Sequence, residues 1–496
     1  MKYASTRDPS VGITAAEAIA KGISAEGGLF VPEELPRLTE SDFLSLAEKR
    51  YPDLAFEVLK PFLSAFTDDE IRGWVYGAYG GNFGVEDAVG LAKLGDGEFL
   101  LELWHGPTAA FKDMALQILP GMLSASIKKT GFSGRTLILA ATSGDTGKAA
   151  LEGFKDVDGV EIAVFYPQNG VSDMQKLQMA TQEGENVRVF AVKGNFDDCQ
   201  NGVKAVFADS NAVKSAESRG VAFSSANSIN WGRLCPQIAY YVFAYARLVK
   251  RGEIVCGEEI NVTVPTGNFG NILAAYYARE MGTPIKTLIC ASNANNVLTD
   301  FINTGIYDRN REFLTTVSPS MDILVSSNLE RLLYHISGNN PALINGWFSS
   351  LKETGRYVVG AKITAKMKSA FCGGWCGEDD TKATVREVFG KYNYLMDTHT
   401  AVGYKVYRDY AARTGDNAKT VIASTANPYK FGAAVYEALS GKPPAKSDKG
   451  FGIIKKLEKL SGVPAPKALT AIKGKKIRFK ESVGKDGIKE AVLGML

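Results

Sequence analysis

Six apolar runs, Thr136–Ala141, Glu161–Tyr166, Val187–Val192, Asn261–Val264, Lys286–Ala291 and Thr420–Ser424, are each long enough for a buried strand, and helix-length segments separate most of them. That alternation constrains the fold more than any other feature. Strands apolar on both faces need helices above and below, which predicts an α/β class with a parallel, doubly wound sheet. A chain of 496 residues is too long for one core, and 45% hydrophobic content can fill two or three domains. Residues 1–95 read as a mostly helical N-terminal domain, 96–440 as an α/β region in two lobes with the smaller around 100–190, and 441–496 as a C-terminal extension. The extension holds 14 basic and 5 acidic residues in a chain of net charge +3. It reads as a solvated surface segment, because the aromatic interleaving or motif that nucleic-acid binding needs is missing.

Three of the strands end in loops suited to an anion. Thr136–Ala141 runs into Thr142-Ser143-Gly144-Asp145-Thr146-Gly147-Lys148, where hydroxyls and glycine-freed N–H groups open a helix. A nucleotide P-loop does not fit, since two residues rather than four separate the glycines and Ala149 follows Lys148. Asn261–Val264 runs into Pro265-Thr266-Gly267-Asn268-Phe269-Gly270-Asn271, and Thr420–Ser424 into Thr425-Ala426-Asn427-Pro428. Each loop alone also reads as a plain connection. Together they place three strand ends side by side, where parallel sheets bind ligands.

Lys112 joins them. It follows Leu101-Glu-Leu-Trp-His-Gly-Pro-Thr-Ala-Ala-Phe and opens a helix whose apolar positions Phe111, Met114, Ala115, Ile118, Leu119 and Met122 form a core-facing stripe. A lysine desolvated in such a setting has a lowered pKa, and its neutral amine can form an imine with an aldehyde. From this segment alone Lys112 reads equally as a first-turn surface lysine.

Six cysteines are too few for a disulfide scaffold and suit a reduced, cytoplasmic protein. Cys372 and Cys376 have a C-x3-C spacing with no second ligand pair, and His105, His335 and His399 are scattered, so no metal is expected. The N-terminus lacks an apolar signal region, and the longest apolar stretch, Ile238–Val249, is short and contains Arg247, so no membrane partner is expected either.

Several segments resemble the threonine synthase family, within the fold type II pyridoxal-phosphate enzymes related to the tryptophan synthase β chain. They include Tyr3-Ala-Ser-Thr-Arg7, Glu26-Gly-Gly-Leu-Phe-Val-Pro32, His105-Gly-Pro-Thr108 with Phe111-Lys-Asp113, and Thr142 to Gly147. Asn195-Phe-Asp-Asp-Cys-Gln200, Asn227-Ser-Ile-Asn-Trp231, Pro265 to Gly270, Ser327-Asn-Leu-Glu-Arg-Leu332 and His399-Thr-Ala-Val-Gly403 continue the likeness along most of the chain. Asp8 stands where the family usually has Gly, Thr398 where it has Pro, and Asn427 where it often has His.

The resemblance implies a pyridoxal 5'-phosphate enzyme that converts O-phosphohomoserine and water into threonine and phosphate by β,γ-elimination and replacement. It implies Lys112 as the imine lysine and catalytic base, Gly267, Asn268, Phe269 and Gly270 as the cofactor-phosphate cradle, Ser424 or Thr425 at the ring nitrogen, and Asp145 near the ring oxygen. Thr142, Ser143 and Thr146 would hold the substrate carboxylate, and Asn227, Ser228 and Arg233 its phosphate. Arg233 on position alone also reads as half of a surface ion pair. Asp145 facing a phenolate-like oxygen should share a proton with it, raising the coupled pKa. A serine or threonine dehydratase of the same fold is the alternative, and a monomer or homodimer with a small-molecule substrate is expected.

Overall fold

The computed structural model describes residues 1–496, except the side chain of Asp197. All six expected strands form, but in two sheets rather than one row. The larger sheet runs Phe371–Trp375, Ile285–Ser292, Ile260–Pro265, Thr420–Ser424, Glu98–Glu102, Gly90–Gly95, with only the last pair antiparallel. The smaller runs Ser482–Gly484, Val187–Lys193, Val160–Pro167, Arg135–Ala141, Val221–Ser224, parallel throughout.

Both are wound on two faces, as the apolar runs require. Val421 and Ala423 enter one core while Ile422 between them enters another, and Leu137 and Leu139 part from Ile138 and Ala140 in the same way. This is the period-2 alternation of a strand with both faces covered. The apolar stretch 238–249 is a core helix within Pro236–Lys250, not a membrane segment. Arg247 leaves it to donate to the Ala47 and Lys49 carbonyls and to meet Asp87 at 3.0 Å. Among the described residues no helix is long and apolar enough to cross a membrane.

The N-terminal region is mostly helical, as expected, with a short three-stranded antiparallel sheet ordered Gly12–Thr14, Lys2–Ser5, Phe30–Pro32. Two expectations change. The helix after Lys112 breaks into Asp113–Leu116 and Leu119–Lys129, because Pro120 has no N–H to donate and starts a new helix. The basic tail is not wholly solvated: Ser482–Gly484 adds a strand to the smaller sheet, and Ile488 and Val492 are buried in its core. The Asn195–Gln200 segment is a helix start, with Asn195 and Asp198 forming a reciprocal capping box.

Candidate active site

The turn bearing Lys112 is pinned to the end of the strand Thr420–Ser424. The Phe111 N–H donates to the Thr425 carbonyl at 2.8 Å and the Asn427 N–H to the Ala109 carbonyl at 3.0 Å. Below it, the buried Asp113 carboxylate accepts the Thr108 N–H and hydroxyl at 2.8 and 2.7 Å, and burial pushes its pKa up to about 6. Gly106 packs on that carboxylate so closely that a Cβ would lie 2.5 Å from Oδ2, which is why the His-Gly-Pro-Thr segment needs glycine there. The Lys112 side chain is partly accessible from the cleft, and its Nζ lies 4.3 Å from the centre of the Phe111 ring. Burial first, then the charge of Arg233, lower its pKa to about 7 against the opposing pull of Asp145. A large share of the amine is therefore neutral at physiological pH.

The loop after Arg135–Ala141 faces Lys112 from the smaller lobe. The Thr142 hydroxyl accepts the Gly144 and Gly147 N–H groups at 2.9 and 2.8 Å, so it shapes the loop, whereas Ser143 and Thr146 stay partly accessible with no side-chain hydrogen bond among the described residues. Gly144 has φ 132°, and a Cβ there would strike the Gln175 amide. Asp145 is buried and paired with Lys430, Nζ to Oδ1 at 2.9 Å, and it accepts from Gln175 at 2.8 Å. Burial opposes its charge, but Lys430 and the hydrogen bonds prevail and hold the carboxyl below its ordinary value. A lysine from the other lobe supplies the neutralisation that a shared proton would otherwise provide.

The loop after Ile260–Pro265 is held by its carbonyls. The Gly267 carbonyl accepts from the Ser326 hydroxyl at 2.8 Å, and the Asn268 carbonyl from the Asn328 backbone and side-chain nitrogens at 3.0 and 3.1 Å. In a trans peptide the N–H points opposite to the C=O, so the N–H groups of Asn268 and Phe269 turn the other way. Phe269 takes the left-handed conformation, φ 62°, to open the helix Gly270–Glu280. At Gly267 a Cβ would come within 3.1 Å of the Ser320 carbonyl.

Ser424 and Thr425 part company. The Ser424 hydroxyl accepts from Trp104 Nε1 at 2.9 Å and from the Thr400 hydroxyl at 3.1 Å, while the Thr425 hydroxyl has no hydrogen bond among the described residues.

Arg233 is not a surface residue. The residue is 2% exposed, and its guanidinium donates Nη1–H to the Ala226 carbonyl at 2.6 Å, leaves Nε without a partner and meets no carboxylate among the described residues. Burial lowers its pKa only to about 10, so it remains a cation. A buried unpaired cation is costly unless an anion comes to it. Asn227 and Ser228 stay partly accessible nearby in the chain.

Three family models match most of the chain: a threonine synthase N terminus over residues 2–79, a pyridoxal-phosphate dependent enzyme over 85–340, and a threonine synthase C-terminal region over 400–474. The chain belongs to the threonine synthase family. It is 39% identical over 450 residues to the threonine synthase of Pseudomonas aeruginosa, covering 90% of this chain and 92% of that one. It is 40% identical over 437 residues to the human threonine synthase-like 1, covering 86% of this chain but only 58% of the length of that relative. The crystal structure of pyridoxal-phosphate-bound threonine synthase from Brucella melitensis superposes with a TM-score of 0.87 at 35% identity, covering 100% of this chain and 99% of the other.

As a member of this family the chain is a fold type II pyridoxal-phosphate enzyme, and its residues fit that cofactor: a low-pKa lysine, a glycine loop with outward N–H groups, and an unengaged hydroxyl. Sequence reasoning missed Lys430, which also donates to the Thr108 carbonyl at 2.8 Å and to Gln178 at 3.1 Å. It missed as well the pair His399–Asp397, Nδ1 to Oδ2 at 2.8 Å, whose Nε2 accepts the Ser320 N–H at 3.1 Å and so assigns the proton to Nδ1. The available signal for Lys430 was a cation in the apolar run Pro428-Tyr-Lys-Phe431. Asn427 in place of the usual His turns back to accept the Tyr429 N–H at 3.1 Å, and Thr398 in place of Pro donates to the Val317 carbonyl at 2.6 Å.

Proposed function

We propose that the chain converts O-phospho-L-homoserine and water into L-threonine and phosphate, the last step of threonine biosynthesis. The observation that carries this reading is Arg233: a buried, unpaired guanidinium close enough to Lys112 to depress its pKa is suited to a substrate that brings a phosphate to the reacting carbons. A plain hydroxy amino acid, the dehydratase substrate, would leave that cation unmet.

Lys112 would hold the cofactor aldehyde, Asn268, Phe269 and Gly270 its phosphate through their N–H groups with Gly267 giving room, and Thr425 rather than Ser424 the ring nitrogen. When bound, pyridoxal phosphate supplies an electron sink for charge developing at the substrate Cα and Cβ. The neutral Lys112 Nζ takes the Cα proton and delivers protons later in the cycle. Ser143 and Thr146 orient the substrate carboxylate, with Thr142 holding their loop. Asn227, Ser228 and Arg233 bind the γ-phosphate and stabilise it as it leaves. Asp145, ionised by its pairing with Lys430, would lie near the ring oxygen.

We further infer a division at residues 1–95, 96–440 and 441–496, a monomer or homodimer without nucleic-acid partners, and a cytoplasmic setting that suits six free cysteines. The test is purified protein with pyridoxal phosphate and O-phosphohomoserine. Stoichiometric threonine and phosphate support the reading, and serine deamination that outpaces phosphate release favours the dehydratase.

A further inference from the structure

Three of the motifs without a role in the reaction, Tyr3 to Arg7, Glu26 to Pro32, and Ser327 to Leu332, meet in one network. We propose that Arg331 is a positioning residue whose guanidinium fork sets the spacing between the cofactor-phosphate cradle and the substrate-phosphate loop, with the N-terminal domain holding the fork in place. The proposal rests on the assignment of those two anion sites.

Arg331 is fully buried and meets no carboxylate among the described residues; each arm of its fork goes to a different part of the chain. Nε donates to the Phe30 carbonyl of the N-terminal sheet at 2.9 Å. Nη2 donates to the Ile229 carbonyl at 2.5 Å, between Ser228 and the Asn230 cap that leads to Arg233. Nη1 donates to Asn328 Oδ1 at 2.6 Å, and Asn328 in turn grips the Asn268 carbonyl with two nitrogens. That grip points the Phe269 N–H into the cradle. A planar guanidinium has its donors at fixed angles, so three carbonyl-type acceptors from three segments are locked in one geometry, which a flexible ammonium cannot reproduce. Neighbouring residues repeat the connection: the Ser327 hydroxyl lies 3.4 Å from that of Ser228, and Glu330 takes a bidentate pair from Arg7, at 2.9 and 2.7 Å, together with the Thr6 hydroxyl at 2.5 Å. With Glu330 occupied by Arg7, the Arg331 fork is left to the loops.

The experiment compares wild type, Arg331→Lys and Asn328→Ala in three measurements: the Kd for pyridoxal phosphate from visible absorbance on titrating the cofactor-free protein, the Ki of inorganic phosphate against O-phosphohomoserine, and the Tm. Arg331→Lys should raise both constants about ten-fold, the scale of one charge-assisted hydrogen bond, while kcat at saturation changes less. Asn328→Ala cuts only the arm toward the cradle. It should raise the cofactor Kd and leave the phosphate Ki within about two-fold, and it decides the matter if Arg331→Lys does not fold. A lower Tm with both constants within about two-fold of wild type overturns the proposal, because a merely structural arginine behaves that way. Equal rises of both constants in Asn328→Ala also overturn it. If inorganic phosphate does not compete in wild type, the substrate-phosphate site itself is wrong and the proposal falls with it; competition in wild type with no change in Arg331→Lys sinks this proposal alone.

Discussion

Replacing Lys430 by Met keeps the apolar stem and removes the charge that faces Asp145. At 2.9 Å and an effective dielectric of about 20, the attraction between the two is about 6 kcal/mol, much of which offsets the desolvation of both ions. Deleting one partner strands the other, so Lys430→Met should cost about 3–5 kcal/mol at neutral pH. Asp145→Asn should also destabilise, by taking from the ammonium its carboxylate partner and leaving its hydrogen bonds to the Thr108 carbonyl and Gln178. The double variant buries no net charge and should lose about 2–3 kcal/mol less than the sum of the singles. The pH dependence carries a sign. Wild-type Asp145 is held below its ordinary value, so its contribution is present above about pH 4 and is lost as pH falls through the lowered folded pKa. In Lys430→Met, burial is the strongest influence left, the folded pKa rises above the unfolded one, and the penalty grows as pH rises from about 4 toward 8. Urea unfolding of the four proteins across that range, at one fixed cofactor concentration, measures both effects. Singles that add within about 0.5 kcal/mol, or a Lys430→Met deficit that is flat with pH, would refute the reasoning.

Borohydride treatment of the cofactor-loaded protein should place the pyridoxyl label on the peptide containing Lys112, and the rate of cofactor capture should climb with pH through about 7, the value at which the amine loses its proton; a label elsewhere removes Lys112 from its role. Arg233→Ala should lower kcat/KM for O-phosphohomoserine about ten- to a hundred-fold while leaving serine deamination nearly unchanged, with Arg233→Lys rescuing only part. Equal losses in both activities would make Arg233 structural. Gly144→Ala forces a Cβ into the Gln175 amide at φ 132°, so it should destabilise by more than about 1 kcal/mol and free Gln175 from Asp145, seen as a lower Tm and weaker cofactor binding.

Local features were legible without the structure. The six buried runs became strands within a residue or two of their expected bounds, because period and side-chain type within a few positions decide the backbone. Gly144 and Gly267 could be singled out because a strand that turns abruptly into a helix needs residues without a Cβ. Less visible was how the strands divide. Thr136–Ala141 lies in one sheet, Asn261–Val264 and Thr420–Ser424 in another, so the three loops meet across a cleft instead of along one edge.

By itself the sequence determined the strand-loop-helix units and the family, since each depends on neighbours a few residues apart. The tertiary structure decided the electrostatics. Lys430 reaches Asp145 across the two lobes, Arg331 reaches the Phe30 carbonyl 301 positions away, and Arg233 turns out buried and unpaired instead of exposed. A charge's worth depends on how much water the fold removes and which opposite charge it brings near. Both are set by segments that share no local pattern, and they become readable only once the chain has closed on itself.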